Sequence, residues 1–94
     1  MAAEKVIFRV HALQRMFERG ITVEDARRVI KTGEVLQDYP DDTPYPSRLV
    51  FGWVAERPLH VVVAYNKAAG EEIVITAYEP APAQWESGFK RRKR

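Results

Sequence analysis

The sequence predicts an α+β domain, two N-terminal helices packed on an antiparallel meander sheet of about four strands. Three observations carry that prediction. Apolar residues recur at helical spacing over residues 10–30 and at a period of two after Gly33. Thr22 followed by Asp25 has the form of a helix cap. Breaks rich in proline and glycine cut residues 34–78 into short runs whose links suit only antiparallel neighbours.

The first helix is read over Val10–Arg19, with Val10, Leu13, Met16 and Phe17 as its buried stripe and Gly20 closing it. Thr22 caps the second, where Glu24 and Asp25 set negative charge at the positive end of the dipole. Val23, Ala26, Val29 and Ile30 form its buried face, and Gly33 ends it. Strands follow at Glu34–Tyr39, Arg48–Ala55, Leu59–Tyr65 and Glu72–Tyr78. The loop from Pro40 to Pro46 holds three prolines, which deny a ladder its donors. Glu56-Arg57-Pro58 is read as a turn and residues 66–70 as a hairpin loop. Val6–Phe8 is either an edge strand or the lead-in to the first helix. Trp85 is expected to anchor the returning chain.

With 94 residues the chain forms one domain, expected over residues 1–86, with 87–94 a disordered basic tail. A composition 46% hydrophobic and 30% charged is that of a globular protein and excludes overall disorder. The absence of cysteine excludes disulfides, a thiolate nucleophile and a thiolate zinc site. Apolar runs are only strand-sized and the start carries no clean signal sequence, so the expectation is a cytoplasmic protein with no membrane partner.

The formal charge of +2 is unevenly spread. Lys90, Arg91, Arg92, Lys93 and Arg94 supply 5 of 15 basic residues; without them 10 cations face 13 anions. Residues 1–31 carry +3 and residues 32–89 carry −6. A polyanion is therefore drawn to the first third or to the tail.

No phosphate loop, metalloprotease helix, nucleophile elbow or dinucleotide fingerprint is present. Two histidines and no cysteine make a dedicated metal site or cofactor unexpected. On the first helix His11, Arg15 and Arg19 recur at i, i+4 and i+8. That stripe is either a solvated face, with Glu18 among its cations, or a row able to hold a phosphodiester while the imidazole moves a proton. His60, in an apolar strand, is either satisfied by a backbone group or part of a site. Tyr78 ends the last strand, as packing or within reach of a substrate. Trp53 is assigned to the core. The terminal cations suit nonspecific nucleic-acid contact or solubility.

His11-Ala12, Arg15-Met16, Glu18-Arg19-Gly20-Ile21 and Glu24-Asp25, with Gly33-Glu34-Val35, Leu59-His60-Val61-Val62 and Thr76-Ala77-Tyr78-Glu79-Pro80 in order, resemble a small bacterial family of unknown function. The resemblance spans about residues 10–85. The layout is also similar to BrnT-type toxins of the RelE/ParE toxin-like superfamily. That resemblance implies a scaffold cleaving RNA without a metal, by attack of the ribose 2′-hydroxyl. His11, His60, Arg15 and Tyr78 are then the catalytic candidates, with Arg19, Arg48 and Lys90–Arg94 contacting RNA. A cognate antitoxin-like protein is the implied partner, and the chain a monomer or homodimer. The alternative is a non-catalytic protein- or nucleic-acid-binding module of a small regulatory complex, which the acidic body favours.

Overall fold

The computed structural model describes residues 5–93. Its element order is β1 (Lys5–Phe8), α1 (Val10–Glu18), α2 (Val23–Thr32), β2 (Glu34–Tyr39), β3 (Ser47–Val54), β4 (Arg57–Asn66) and β5 (Glu71–Tyr78). The α+β class and the β2–β5 meander are as expected, but the sheet has five strands in the order β1-β5-β4-β3-β2. It is mixed: β1 lies parallel to β5, with Lys5 opposite Glu71 and Phe8 opposite Val74. The wholly antiparallel, four-stranded expectation is corrected here. A parallel pair needs a long connection, and the entire helix pair and meander supply it.

Local chemistry explains three of the four helix ends. The Thr22 hydroxyl accepts from the Asp25 amide at 3.0 Å, and the Asp25 carboxylate accepts from the Thr22 amide at 3.1 Å, closing the capping box. Gly20 ends α1 with φ of +67°, a conformation glycine adopts without a Cβ penalty. Gly33 is needed for space: a Cβ there would strike the Val29 and Phe51 carbonyl oxygens where α2 turns onto the sheet. The β3–β4 link is tighter than expected, a two-residue turn at Ala55 and Glu56 with Ala55 at φ 57°. Pro58 belongs to β4 beyond its last pair with β5, His60 opposite Tyr78, so its missing N–H interrupts no ladder on that side.

The helices cover one face of the sheet, α1 against β5 and α2 against β3 and β4. Ala12, Met16, Ile21, Ala26 and Val29 meet Val50, Leu59, Val61, Val63, Val74 and Ala77 in one aliphatic cluster. The rotation of α1 differs from the expected one. Ala12 and Met16 are buried, whereas Val10, Leu13 and Phe17 are exposed, Phe17 at 88%. Two tethers set that rotation: the Arg9 amide donates to Val74 O next to β1, and Arg19 Nη1 donates to Ala77 O at 2.9 Å. Small Ala12 lets the helix approach the sheet. Among the described residues no helix is long and apolar enough to cross a membrane.

The opposite face carries a C-terminal strap. Lys93 N donates to Gln84 O and Glu86 N to Arg91 O, both within 2.8 Å, around a bridge between Trp85 and Arg92. Trp85 stands edge to face on His60, ring centres 4.4 Å apart. Arg94 lies outside the described residues.

Candidate functional site: an arginine cleft at one sheet end

His60 is fully buried beneath the strap, between Phe51, Tyr78 and Trp85. Its Nε2 lies 2.8 Å from Phe89 O, which can only accept, so the proton sits on Nε2. Nδ1 is then the acceptor for the Tyr78 hydroxyl at 3.4 Å. Burial holds the imidazole pKa below its ordinary value, partly opposed by the bond to Phe89 O. Burial raises that of Tyr78, the nearby Arg92 charge opposes it, and Tyr39 adds to it. Tyr78 therefore enters neutral conditions as a proton-bearing hydroxyl.

Tyr78 also lines an open cleft of about 670 Å³ with Arg19, Arg57, Glu79, Trp85 and Arg92. Each guanidinium is fixed by different contacts. Arg57 Nε donates to Glu79 Oε1 at 2.8 Å, while its Nη1 and Nη2 donate to the carbonyls of Gly20 and Arg19 at the end of α1. Those are carbonyls a helix terminus leaves unpaired, and a cation there also matches the dipole. Arg19 reaches across to Ala77 O. Arg92 lies over the Trp85 ring, 5.4 Å from its centre. Three cations against one carboxylate give the cleft a local charge of +2, opposite in sign to the acidic stretch of sequence that supplies six of its eight lining residues.

Among the residues singled out in the sequence, Arg19, Tyr78 and Arg92 meet in the cleft, with His60 behind Tyr78. The others are elsewhere. His11 is exposed on α1, which packs on the helix face, whereas His60 points to the strap face. The two imidazoles stand on opposite sides of the sheet and form no acid–base pair. Arg15 makes an exposed ion pair with Glu18 at 3.6 Å. Arg48 bonds Glu72 at 3.0 Å. Glu72 is six residues from Tyr78 along β5, about 20 Å at strand rise. Lys90 pairs with Glu34 at 2.9 Å, and Lys90 and Arg91 border an adjoining groove with Gln37 and Tyr39, which shares Tyr78, Trp85 and Arg92 with the cleft. Lys93 is exposed, its amide closing the strap.

Arg57, Glu79 and the cleft-lining position of Trp85 are absent from the sequence-based site. Glu79-Pro80, directly after Tyr78, was a usable signal: proline ends the strand and leaves the preceding carboxylate at the sheet rim. Arg57 had none, because its partners are backbone carbonyls from the end of α1. Among the described residues no three His, Asp or Glu side chains gather to hold a metal ion.

No curated protein and no solved structure gives a significant match to the chain. The family model for the domain of unknown function DUF4258 does match, over residues 8–79, from the end of β1 to the cleft carboxylate, and the chain belongs to that family.

Proposed function

We propose that the domain is a toxin-like RNA-binding protein that holds a phosphodiester in the arginine cleft and cleaves it by 2′-hydroxyl attack without a metal. The supporting observation is the convergence of Arg19, Arg57 and Arg92 with Tyr78 and Glu79 in one open cleft. Guanidinium forks match phosphate oxygens and gain most where charge develops on a crowded phosphorus. Glu79 takes the 2′-hydroxyl proton, the O2′–P bond forms and the P–O5′ bond breaks. Tyr78 gives its proton to the departing O5′, and water restores both groups. The products are a 2′,3′-cyclic phosphate and a 5′-hydroxyl. This assignment replaces the two-imidazole scheme.

The test is a short single-stranded RNA in chelator, followed by binding and by product end-group analysis. Arg92→Ser should weaken binding and reduce its salt slope by about one. Glu79→Gln should stop cleavage with binding retained, and His11→Ala should change neither. Cleavage that survives Glu79→Gln and Tyr78→Phe together refutes the mechanism, and binding indifferent to Arg92 and salt refutes the site.

A second reading, docking of a regulatory partner, is favoured by the exposed Val10, Leu13 and Phe17 on α1 and by the apolar groove that Leu13 and Phe17 border with Ile21 and Val23. The surrounding residues 5–31 hold seven Lys or Arg against three acids, so the matching partner is an amphipathic helix with an acidic rim. An acidic Leu/Glu helical peptide should bind the wild type and not Phe17→Asp. Self-association lost in the same variant would assign the face to a second copy instead.

A further inference from the structure

The same end of the sheet carries a second basic surface that the cleft does not use. A groove of about 690 Å³ is lined by Glu24, Arg27, Arg28, Lys31 and Thr32 of α2 and by Trp53 of β3. Contrary to its assignment to the core, Trp53 is half exposed. Its ring is nevertheless fixed, edge to face with Phe51 at 5.8 Å and with Phe89 of the strap at 6.2 Å. Among the described residues, none of Arg27, Arg28 and Lys31 is in an ion pair, Glu24 included. Three unpaired cations beside a rigid, solvent-facing indole combine the two elements that bind single-stranded nucleic acid, a backbone-tracking charge and a stacking face.

Strand register relates this groove to the cleft. Trp53 is opposite Pro58 and Val54 opposite Arg57, so the indole is on the strand next to the one that carries the cleft guanidinium. Neighbouring strands are about 4.8 Å apart, β3 is two strands from β5, and the Pro58 and His60 pairs are two residues apart, placing Trp53 about 12 Å from Tyr78. We propose that Trp53 with Arg27, Arg28 and Lys31 forms a base-stacking subsite for single-stranded nucleic acid, continuing the path of a strand whose phosphate lies in the arginine cleft. The subsite deepens the reading of the cleft as a phosphodiester site and depends on it for the ligand class. A flat surface of lysine and arginine alone would take any polyanion; the indole selects one that carries unpaired bases.

The experiment compares a fluorescent single-stranded RNA octamer with an abasic backbone of equal length, using the full chain. Trp53→Ala should weaken octamer binding at least fivefold and leave the abasic backbone unchanged. Trp53→Phe, which keeps an aromatic ring against Phe51 and Phe89, should restore most of the loss and controls for folding. Arg27→Ser with Arg28→Ser should weaken both ligands and lower the salt slope by about two. Equal loss for both ligands in Trp53→Ala, or no loss for either, overturns the stacking subsite. Loss of affinity in Arg92→Ser with Trp53→Ala unaffected overturns the subsite and leaves the cleft standing. The reverse pattern keeps the subsite and refutes the cleft.

Discussion

The two faces of the sheet are built from different chemistry. Under the helices every fully buried contact is aliphatic, and Leu59, Val61, Val63 and Val74 are closed off from solvent with no polar atom to satisfy. Under the strap aromatic and polar groups are buried beside aliphatic ones: Phe51, His60 and Trp85, with Leu49 next to them and Tyr78 at the margin. One face fills space by dispersion and area. The other has to place hydrogen bonds, so its geometry is specific and its stability depends on protonation. The arginine cleft is at the seam, taking Arg19 from the helix side and Arg92 from the strap side. The proposed chemistry is positioned where the tolerant layer meets the exacting one.

Three perturbations probe that contrast. The largest effect is expected from Leu59→Ala, which opens a cavity in the aliphatic cluster and should cost about 2–5 kcal/mol in urea unfolding. The loss should be the same at pH 8 and pH 5.5, since the cluster contains no titrating group. Next is Thr22→Ala, which removes the capping hydroxyl of α2 and should cost about 1 kcal/mol. The smallest effect is confined to the strap face. Burial lowers the His60 pKa in the folded state, so the unfolded chain binds the extra proton first. Stability is therefore full above the ordinary histidine pKa and is lost as pH falls through the depressed folded value. Groups facing the ring are the Tyr78 hydroxyl and Phe89 O, with Arg92 over the ring of Trp85. His60→Gln should flatten that acid limb in pH-dependent unfolding; an unchanged limb would mean that another group carries it.

Legibility followed the range of the interactions. The Thr22–Asp25 cap and the β2–β5 order were readable because a box spans four residues and short links force neighbours to pair. The pairing of β1 with β5 was not, since it joins residues more than sixty positions apart. The rotation of α1 escaped for the same reason. Periodicity reports that a helix has an apolar stripe, and here tethers at Arg9 and Arg19 turned Ala12 and Met16 inward instead of Phe17. Of the site, Tyr78 and Arg19 were legible as polar groups at element ends. His60 was legible only as an imidazole needing a partner, and that partner, Phe89 O, lies in a segment whose charge content reads as solvated tail.

The strap also makes the cleft sensitive to register. Trp85 and Arg92 face each other across a bridge, and Phe89 between them accepts from the buried imidazole. One extra residue inserted between Trp85 and Phe89 would leave the aliphatic layer untouched, yet would swing the guanidinium away from its companions and uncover the ring nitrogen together. A length change of that kind would remodel the proposed phosphodiester site while the globule stayed intact, so relatives that vary there are where a different form of the cleft should be sought.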